Sequence, residues 1–438
     1  MTQGAYTKRV ALTLVTNILS LLVAIGSSVI LARILGPKGK GIYQISYLVP
    51  SLIVTLGNLG VGPATTYFVA RRTFPKKAIL GTNAILTGIL SFSGIVLGTI
   101  LITTLSSSLL KGVPREFLLL ALMLIPFEIG FANFQSILLG LQKIREYNYA
   151  SIAQSVMFLV FLTVALLVFR AGVAGALVAI ILTWAINTLL VFRRAYISTG
   201  GMQLSLDREH IKQLVSFGLK AHLANILGFL NYRVDMFLVN FYLGPAWVGQ
   251  YSIGVALAEK LWVVAGSAST VLYPRVAATA NEEERARFTS LVARVVLFVT
   301  TVGALALVLV ARPAILLVYS SRYLPSVDAF RALLVGIIAL SGGKILSNDI
   351  AARGYPQYNV IIGTAATICN LVLNIFWIPR YGIAGAAWAS TVSYTLQFCG
   401  SLIVFRMLAD TSLSEILLVR REDLALLFSA VRAALRHS

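Results

Sequence analysis

Apolar runs of about twenty residues recur from one end of this chain to the other, each long enough to cross a bilayer as a helix. Hydrocarbon offers no water to the backbone, so only helices and closed barrels can span it. A barrel would show segments of about ten residues with alternating polarity, and the runs here are continuous. The reading is an all-α polytopic membrane protein. The chain is 58% hydrophobic and 12% charged, against about a quarter charged for a soluble domain. The first run, from about Val10 to Leu35, is too long for a cleaved signal peptide and lacks a small-residue cleavage site.

Hydropathy and turn signals predict twelve transmembrane helices. They cover 10–35, 42–70, 79–106, 116–141, 148–169 and 173–192, then 213–242, 247–273, 288–311, 327–353, 358–378 and 383–406. The longest connection lies halfway along. Residues 1–195 are therefore expected to form an N-terminal six-helix lobe and 213–407 a C-terminal one, with 196–212 as a cytoplasmic linker and 408–438 as a cytoplasmic tail. Lys and Arg gather in the loops on the side that holds both termini, which places both termini in the cytoplasm. The net charge of +20 is accounted for by those loops, so no nucleic-acid partner is expected.

The two halves repeat. Sliding the chain by 208 brings Asn17-Ile18-Leu19 onto Asn225-Ile226-Leu227 and Leu35-Gly36-Pro37 onto Leu243-Gly244-Pro245. Gly41 and Tyr43 meet Gly249 and Tyr251, and nine of the 27 positions from 17 to 43 are identical. Later in each half, Arg170-Ala171-Gly172-Val173-Ala174-Gly175-Ala176 aligns with Arg380-Tyr381-Gly382-Ile383-Ala384-Gly385-Ala386. Six spans per unit put both units in one orientation, related by a pseudo-two-fold axis along the membrane normal. Two such lobes leave a cavity at their interface, which transporters use for alternating access. In each Leu-Gly-Pro corner Pro stops the outgoing helix, and Gly41 or Gly249 is expected to ease the turn back.

The strings "LARILGPKGKGIYQIS" and "LGNLGVGPATTYFVARR", with "YRVDMFLVNFYLGPAWVGQYSIGVALAEKL" and "LYPRVA" in the second half, resemble those of bacterial polysaccharide flippases. These belong to the multidrug/oligosaccharidyl-lipid/polysaccharide exporter superfamily. The resemblance runs to about residue 407, and its motifs are diffuse. It implies export of a lipid-linked oligosaccharide from the inner to the outer leaflet of the bacterial cytoplasmic membrane, as part of cell-envelope polysaccharide biosynthesis. Twelve spans suit the oligosaccharide flippases better than the fourteen-span lipid II flippases.

A lipid-linked sugar has a polar pyrophosphate head that needs a wet, cationic path. Ionisable residues deep in spans are costly and therefore candidates for it. The basic set is Arg33, Lys220, Arg233, Lys260, Arg294, Arg331 and Lys344; the acidic set is Glu128, Asp235, Glu259 and Asp349. Arg33, Arg294 and Arg331 sit near helix ends, where long side chains can snorkel to the interface. In the seventh span His222, Asn225, Tyr232, Arg233 and Asn240 share one face, with Lys220, Asn231 and Asp235 roughly opposite. The Arg233 face is assigned to the cavity, and with deep charges of other spans the substrate set is Arg233, Lys260, Lys344, His222, Asn225 and Arg33, buried ion pairing being the open alternative for Arg233, Lys260 and Lys344. Glu128, Asp235 and Glu259 are the candidate sites for a coupling H⁺ or Na⁺, with a hydrogen-bonded neutral Glu128 and a packing or ion-pair role for Asp235 the open alternatives. Asp349 and Arg353, four apart, read as an ordinary ion pair. Gly57, Gly60, Gly62 and Pro63 interrupt the second span, either as a hinge or for close helix packing.

The tail has a capping box at Ser412 and Glu415. Leu424, Leu427, Phe428, Val431 and Leu435 then form one apolar stripe, with Arg421, Arg432 and Arg436 elsewhere, as in a helix lying on an anionic leaflet. The chain is expected to be a monomer and not an enzyme, with no cofactor and no metal. Cys369 and Cys399 fall inside spans, the histidines are scattered, and no Gly-Lys-Ser/Thr phosphate loop is present. Two rival readings remain. A multidrug exporter would favour an acid-lined cavity, and a glycan polymerase or ligase would be expected to hold a larger external loop.

Overall fold

The computed structural model describes residues 3–204 and 207–423. All regular structure among them is helical. The helices are α1 (Gln3–Gly57), α2 (Val61–Arg71), α3 (Lys76–Leu105), α4 (Arg115–Ala121), α5 (Leu124–Gly140), α6 (Ile144–Thr163), α7 (Gly172–Thr199), α8 (Arg208–Leu243), α9 (Pro245–Ala258), α10 (Trp262–Ala278), α11 (Glu282–Val318), α12 (Ser326–Ala352), α13 (Pro356–Ala409) and α14 (Leu413–Leu417).

Among the described residues nine helical stretches are long and apolar enough to cross a membrane. Two of them hold two expected spans each. The 54 residues of α13 would reach about 80 Å as one straight helix, against a hydrocarbon core of about 30 Å. α13 instead kinks at Gly382, as α1 does at Gly36. α8, the remaining expected span, is too polar to count on apolarity alone. The expected second span is the far half of α1 joined to α2 across a break at 58–60.

The two Leu-Gly-Pro corners share an unusual backbone conformation. Gly36 has φ 65° and ψ 179°, and Gly244 has φ 86° and ψ 175°, a region essentially closed to residues with a Cβ. Gly172 and Gly382, matched later in the halves, have φ of 57° and 60°. Gly41 and Gly249 serve a different purpose from the expected easing of a turn. Both lie within helices, and each is pressed against the other corner. A Cβ added at Gly41 would stand 1.6 Å from the Pro245 carbonyl oxygen, and one at Gly249 would stand 2.0 Å from that of Pro37. The repeated corners are thus a reciprocal backbone interlock. Tyr43 and Tyr251, two residues beyond each glycine, are buried.

The chain folds into two compact units: 1–229 with 236–252, and 230–235 with 253–438. In the first, Leu31, Tyr43, Leu124, Leu166 and Leu177 make one apolar cluster, and Ile79, Leu80, Phe134, Ile137 and Val191 another. The segment after α7 lies along the start of α3, with the Gln203 amide donating to the Lys77 carbonyl at 3.0 Å. His210 is buried there, stacked on Phe74 at 4.0 Å with Nδ1 3.3 Å from the Thr82 hydroxyl. Burial pushes the His210 imidazole down, and Asp207 opposes that in part.

The second unit packs around Ala265, Leu272, Val296, Ile345, Leu346 and Phe405. Its end is tied by ion pairs. Arg353 binds both Asp349 and Glu282, and Thr289 donates to Asp349 at 2.6 Å. Arg294 was expected to snorkel and does the opposite. It is buried, bonds Asp423 through both Nε and Nη2 at 2.8 and 3.1 Å, and donates to the Glu415 carbonyl. The Ser412–Glu415 capping box is formed, and Ile416 enters the core. Arg421 is exposed; the apolar stripe from Leu424 to Leu435, with Arg432 and Arg436, lies outside the described residues.

Candidate functional site

Three of the deep cations of the second unit, Arg233, Lys260 and Lys344, meet around one carboxylate, Glu259. Between α9 and α10 the chain tightens into a 3₁₀ turn at Glu259–Leu261. Such a turn inside a helix often marks a functional position. Arg233, on α8, reaches Glu259 through two parallel bonds, Nη1 to Oε1 at 2.7 Å and Nη2 to Oε2 at 3.1 Å. This fork geometry gives the strongest and most oriented form of ion pair. The pair is not sealed off, with side chains 27% and 19% exposed. Lys260 and Lys344 also lie within electrostatic reach of Glu259, and Arg233 lies within reach of Asp235 as well. Three cations therefore share this neighbourhood with two carboxylates.

Aromatic rings border the cluster. Lys344 Nζ lies 4.4 Å from the centroid of the Trp262 ring, a cation–π contact. Tyr232 lies 4.9 Å from Trp262 and 5.7 Å from Tyr394. Asn348, one turn beyond Lys344, donates to the Ser269 hydroxyl at 2.7 Å. The opposite face of α8 is packing. Asp235 accepts from Ser390 at 3.2 Å, Asn231 accepts from Ser393 at 2.7 Å, and both residues are buried.

The other candidates occupy different surroundings. His222 is buried in the first unit with Nε2 3.2 Å from the Leu56 carbonyl, next to the break that ends α1. Asn240 is buried and donates to the carbonyls of Leu109 and Lys111 at 2.9 and 3.2 Å. Two members of the expected polar face are thus engaged by backbone oxygens, while Asn225 and Arg33 are exposed. Glu128 is buried in α5. Its carboxyl bonds the Tyr47 side chain, and Oε1 finds no partner among the described residues.

At the break, Leu59 and Gly60 have φ of 50° and 69°. A Cβ on Gly60 would meet the Gly218 carbonyl oxygen at 2.3 Å, whereas Gly57 has nothing within 4 Å and Gly62 nothing nearer than 3.7 Å. Pro63 stands exposed in the first turn of α2. Among the described residues no three His, Cys, Asp or Glu side chains converge on a point that could hold a metal.

The sequence alone pairs neither Arg233 with Glu259 nor Trp262 and Tyr394 with the cations. The available signal was opposite charge, deep in consecutive antiparallel spans.

Residues 6–280 match the family model of polysaccharide biosynthesis proteins. The chain is 25% identical over 399 residues to a putative O-antigen transporter of Shigella flexneri, covering 86% of this chain and 92% of that protein. It is 24% identical over 283 residues to an uncharacterized membrane protein of Methanocaldococcus jannaschii, covering 61% of this chain and about half, 54%, of that protein. Among solved structures, the lipid II flippase MurJ in an inward closed conformation matches with TM-score 0.80 and 15% identity, covering 97% of this chain and 93% of that one. An inward-facing multidrug resistance MATE family transporter of the MOP superfamily matches with TM-score 0.76 and 17% identity, covering 91% and 97%. At these identities the structures speak for the fold. The repeated helical architecture, the multi-pass apolar spans and the match over 6–280 agree, and the chain belongs to the family of polysaccharide biosynthesis proteins.

Proposed function

We propose that the protein is a flippase that carries a lipid-linked oligosaccharide from the inner to the outer leaflet of the bacterial cytoplasmic membrane by alternating access. The observation that carries this reading is the Arg233, Lys260 and Lys344 cluster around Glu259, edged by Tyr232, Trp262 and Tyr394. Three cations against two carboxylates leave a positive excess for a pyrophosphate. Aromatic faces suit the apolar faces of sugar rings. Glu259 holds Arg233 extended and oriented before substrate arrives, which reduces the ordering left to binding. The named function of the Shigella relative, transport of O-antigen, fits the same chemistry.

Coupling to an H⁺ or Na⁺ gradient is assigned to Glu128, whose buried carboxyl has an unpartnered oxygen among the described residues. Asp235 and Glu259 are the alternatives in the second unit. The break at Gly57–Pro63 is assigned as the hinge. The chain acts as a monomer, with both termini in the cytoplasm.

The test is leaflet exchange of a fluorescent lipid-linked oligosaccharide in proteoliposomes. Arg233→Ala and Lys344→Ala should each slow exchange at least tenfold while leaving purified yield and melting temperature near wild type. Wild-type exchange in both variants would end the assignment. The MATE likeness favours one other reading, a multidrug exporter. Accumulation of an organic cation in the same vesicles, with no exchange of the glycolipid, would establish that reading instead.

A further inference from the structure

We propose that the first unit carries a binding site for the headgroup of an anionic membrane phospholipid, held by Arg145 and Arg194. A cavity of about 280 Å³ opens where α5, α6 and α7 meet, and Arg145, Glu146, Tyr149, Asn187 and Arg194 line it over a floor that includes Leu138. Arg145 is the second residue of α6, and Arg194 lies in the last two turns of α7. Adjacent antiparallel helices thus bring both guanidiniums to one end of the bundle. The same end holds Lys77, whose carbonyl accepts from Gln203 just past α7. Basic pockets between spans at a membrane surface suit phosphate-bearing lipid headgroups.

Two further observations narrow the occupant. Both arginines are exposed, and neither guanidinium has a carboxylate within 4 Å among the described residues, whereas Arg233, Arg294 and Arg353 each do. The lining carries two guanidiniums and one carboxylate, a net charge that a single phosphodiester monoanion neutralises. Beyond the pocket the helices carry outward apolar side chains: Val156 and Val160 on α6, and Leu182 and Leu189 on α7, are each more than 40% exposed. Tyr149, 61% exposed, stands at the border, as aromatic residues do at membrane interfaces. A ligand with a phosphate at the pocket and acyl chains along α6 and α7 satisfies both surfaces. Free phosphate satisfies one. Asn187 is buried and fixed by its own donations to the Ala150 carbonyl and Gln154 at 3.0 and 3.1 Å, so the back wall is formed before the ligand arrives. This site belongs to the first unit, shares no residue with the Arg233 cluster and does not depend on the flippase reading.

The test uses the full-length protein in detergent, titrated by native mass spectrometry with phosphatidylglycerol, phosphatidylethanolamine, phosphatidylcholine and, as a competitor, inorganic phosphate. Phosphatidylglycerol should bind most tightly. Arg145→Ala and Arg194→Ala should each weaken it roughly five-fold, the attraction of about one basic residue to an anionic headgroup. Lys76→Ala, an exposed charge at the same end, should leave it unchanged. Ala153→Phe fills the cavity, whose lining includes Ala153, and should weaken binding without altering charge. Equal binding of phosphatidylglycerol and phosphatidylcholine would overturn the proposal. So would wild-type affinity in both arginine variants. Displacement of phosphatidylglycerol by millimolar phosphate would reassign the pocket to the free anion and likewise overturn it.

Discussion

The reciprocal corner makes a sharp prediction about stability. A Cβ at Gly41 would lie 1.6 Å from the Pro245 carbonyl oxygen and 2.5 Å from its carbon. Carbon–oxygen contacts in proteins begin at about 3.3 Å, so the shortfall is about 1.7 Å. Both surfaces are backbone, and no side-chain rotamer can relieve the overlap. Overpacking that side chains can absorb costs about 1–3 kcal/mol, so Gly41→Ala belongs at or above the upper figure. At about 2–4 °C per kcal/mol for a domain of a few hundred residues, the melting temperature in detergent should fall by at least about 6 °C. Gly363→Ala is the control. It lies within α13 with nothing within 4 Å of the added carbon, and the better helix propensity of Ala should leave the melt unchanged or slightly higher. Gly41→Ala combined with Gly249→Ala should cost less than the sum, because corners already parted accept the second methyl cheaply. The assay is thermal unfolding followed by tryptophan fluorescence. A Gly41→Ala protein that melts with wild type, or fully additive variants, would refute the interlock.

Other predictions concern charge. Glu259→Gln frees Arg233 and should tighten apparent affinity for the lipid-linked glycan while slowing its release, seen as a lower half-saturating concentration with a lower maximal exchange rate. Glu128→Gln should leave downhill exchange intact and remove its dependence on an imposed ion gradient; gradient-driven exchange in that variant would move coupling elsewhere. Arg294→Ala should make the segment 412–423 accessible to protease at neutral pH. Arg294 holds the Asp423 carboxyl below the usual range, so in wild type the clamp is complete above the ordinary Asp value of about 3.9 and is lost only as pH falls further through the folded value. His210 works at higher pH. Its folded value is lowered, so its contribution is present above about 6.5 and declines as pH drops below that. His210→Phe, which keeps the stack on Phe74, should remove that decline from the pH profile of the melt.

What the sequence makes legible here follows from what each signal measures. Hydropathy counts transfer into hydrocarbon, so together with the turn signals it finds spans well and already divides 358–378 from 383–406 beside Gly382, where α13 kinks. The repeat found both corners, because Gly-Pro is a local stop signal. It could not show that Gly41 and Gly249 face each other's prolines, since that contact joins segments about two hundred residues apart. Helical angles sorted α8 into two polar faces, and Asn231 and Asp235 do pack on α13 through Ser393 and Ser390. The angle says nothing about which backbone carbonyls a face will meet. His222 and Asn240 therefore read as cavity residues, although the Leu56, Leu109 and Lys111 carbonyls engage them. Arg294 read as a snorkelling residue because its partner, Asp423, lies 129 positions away in a segment that hydropathy treats as tail. The common cause is that a polar side chain in a membrane protein is placed by whatever unsatisfied group lies across the helix interface. Where that group is an opposite charge in the next span, as Glu259 is for Arg233, the sequence contains the signal. Where it is a carbonyl exposed by a helix break, only the fold reveals it, and a deep polar residue beside such a break should be weighed first as its cap.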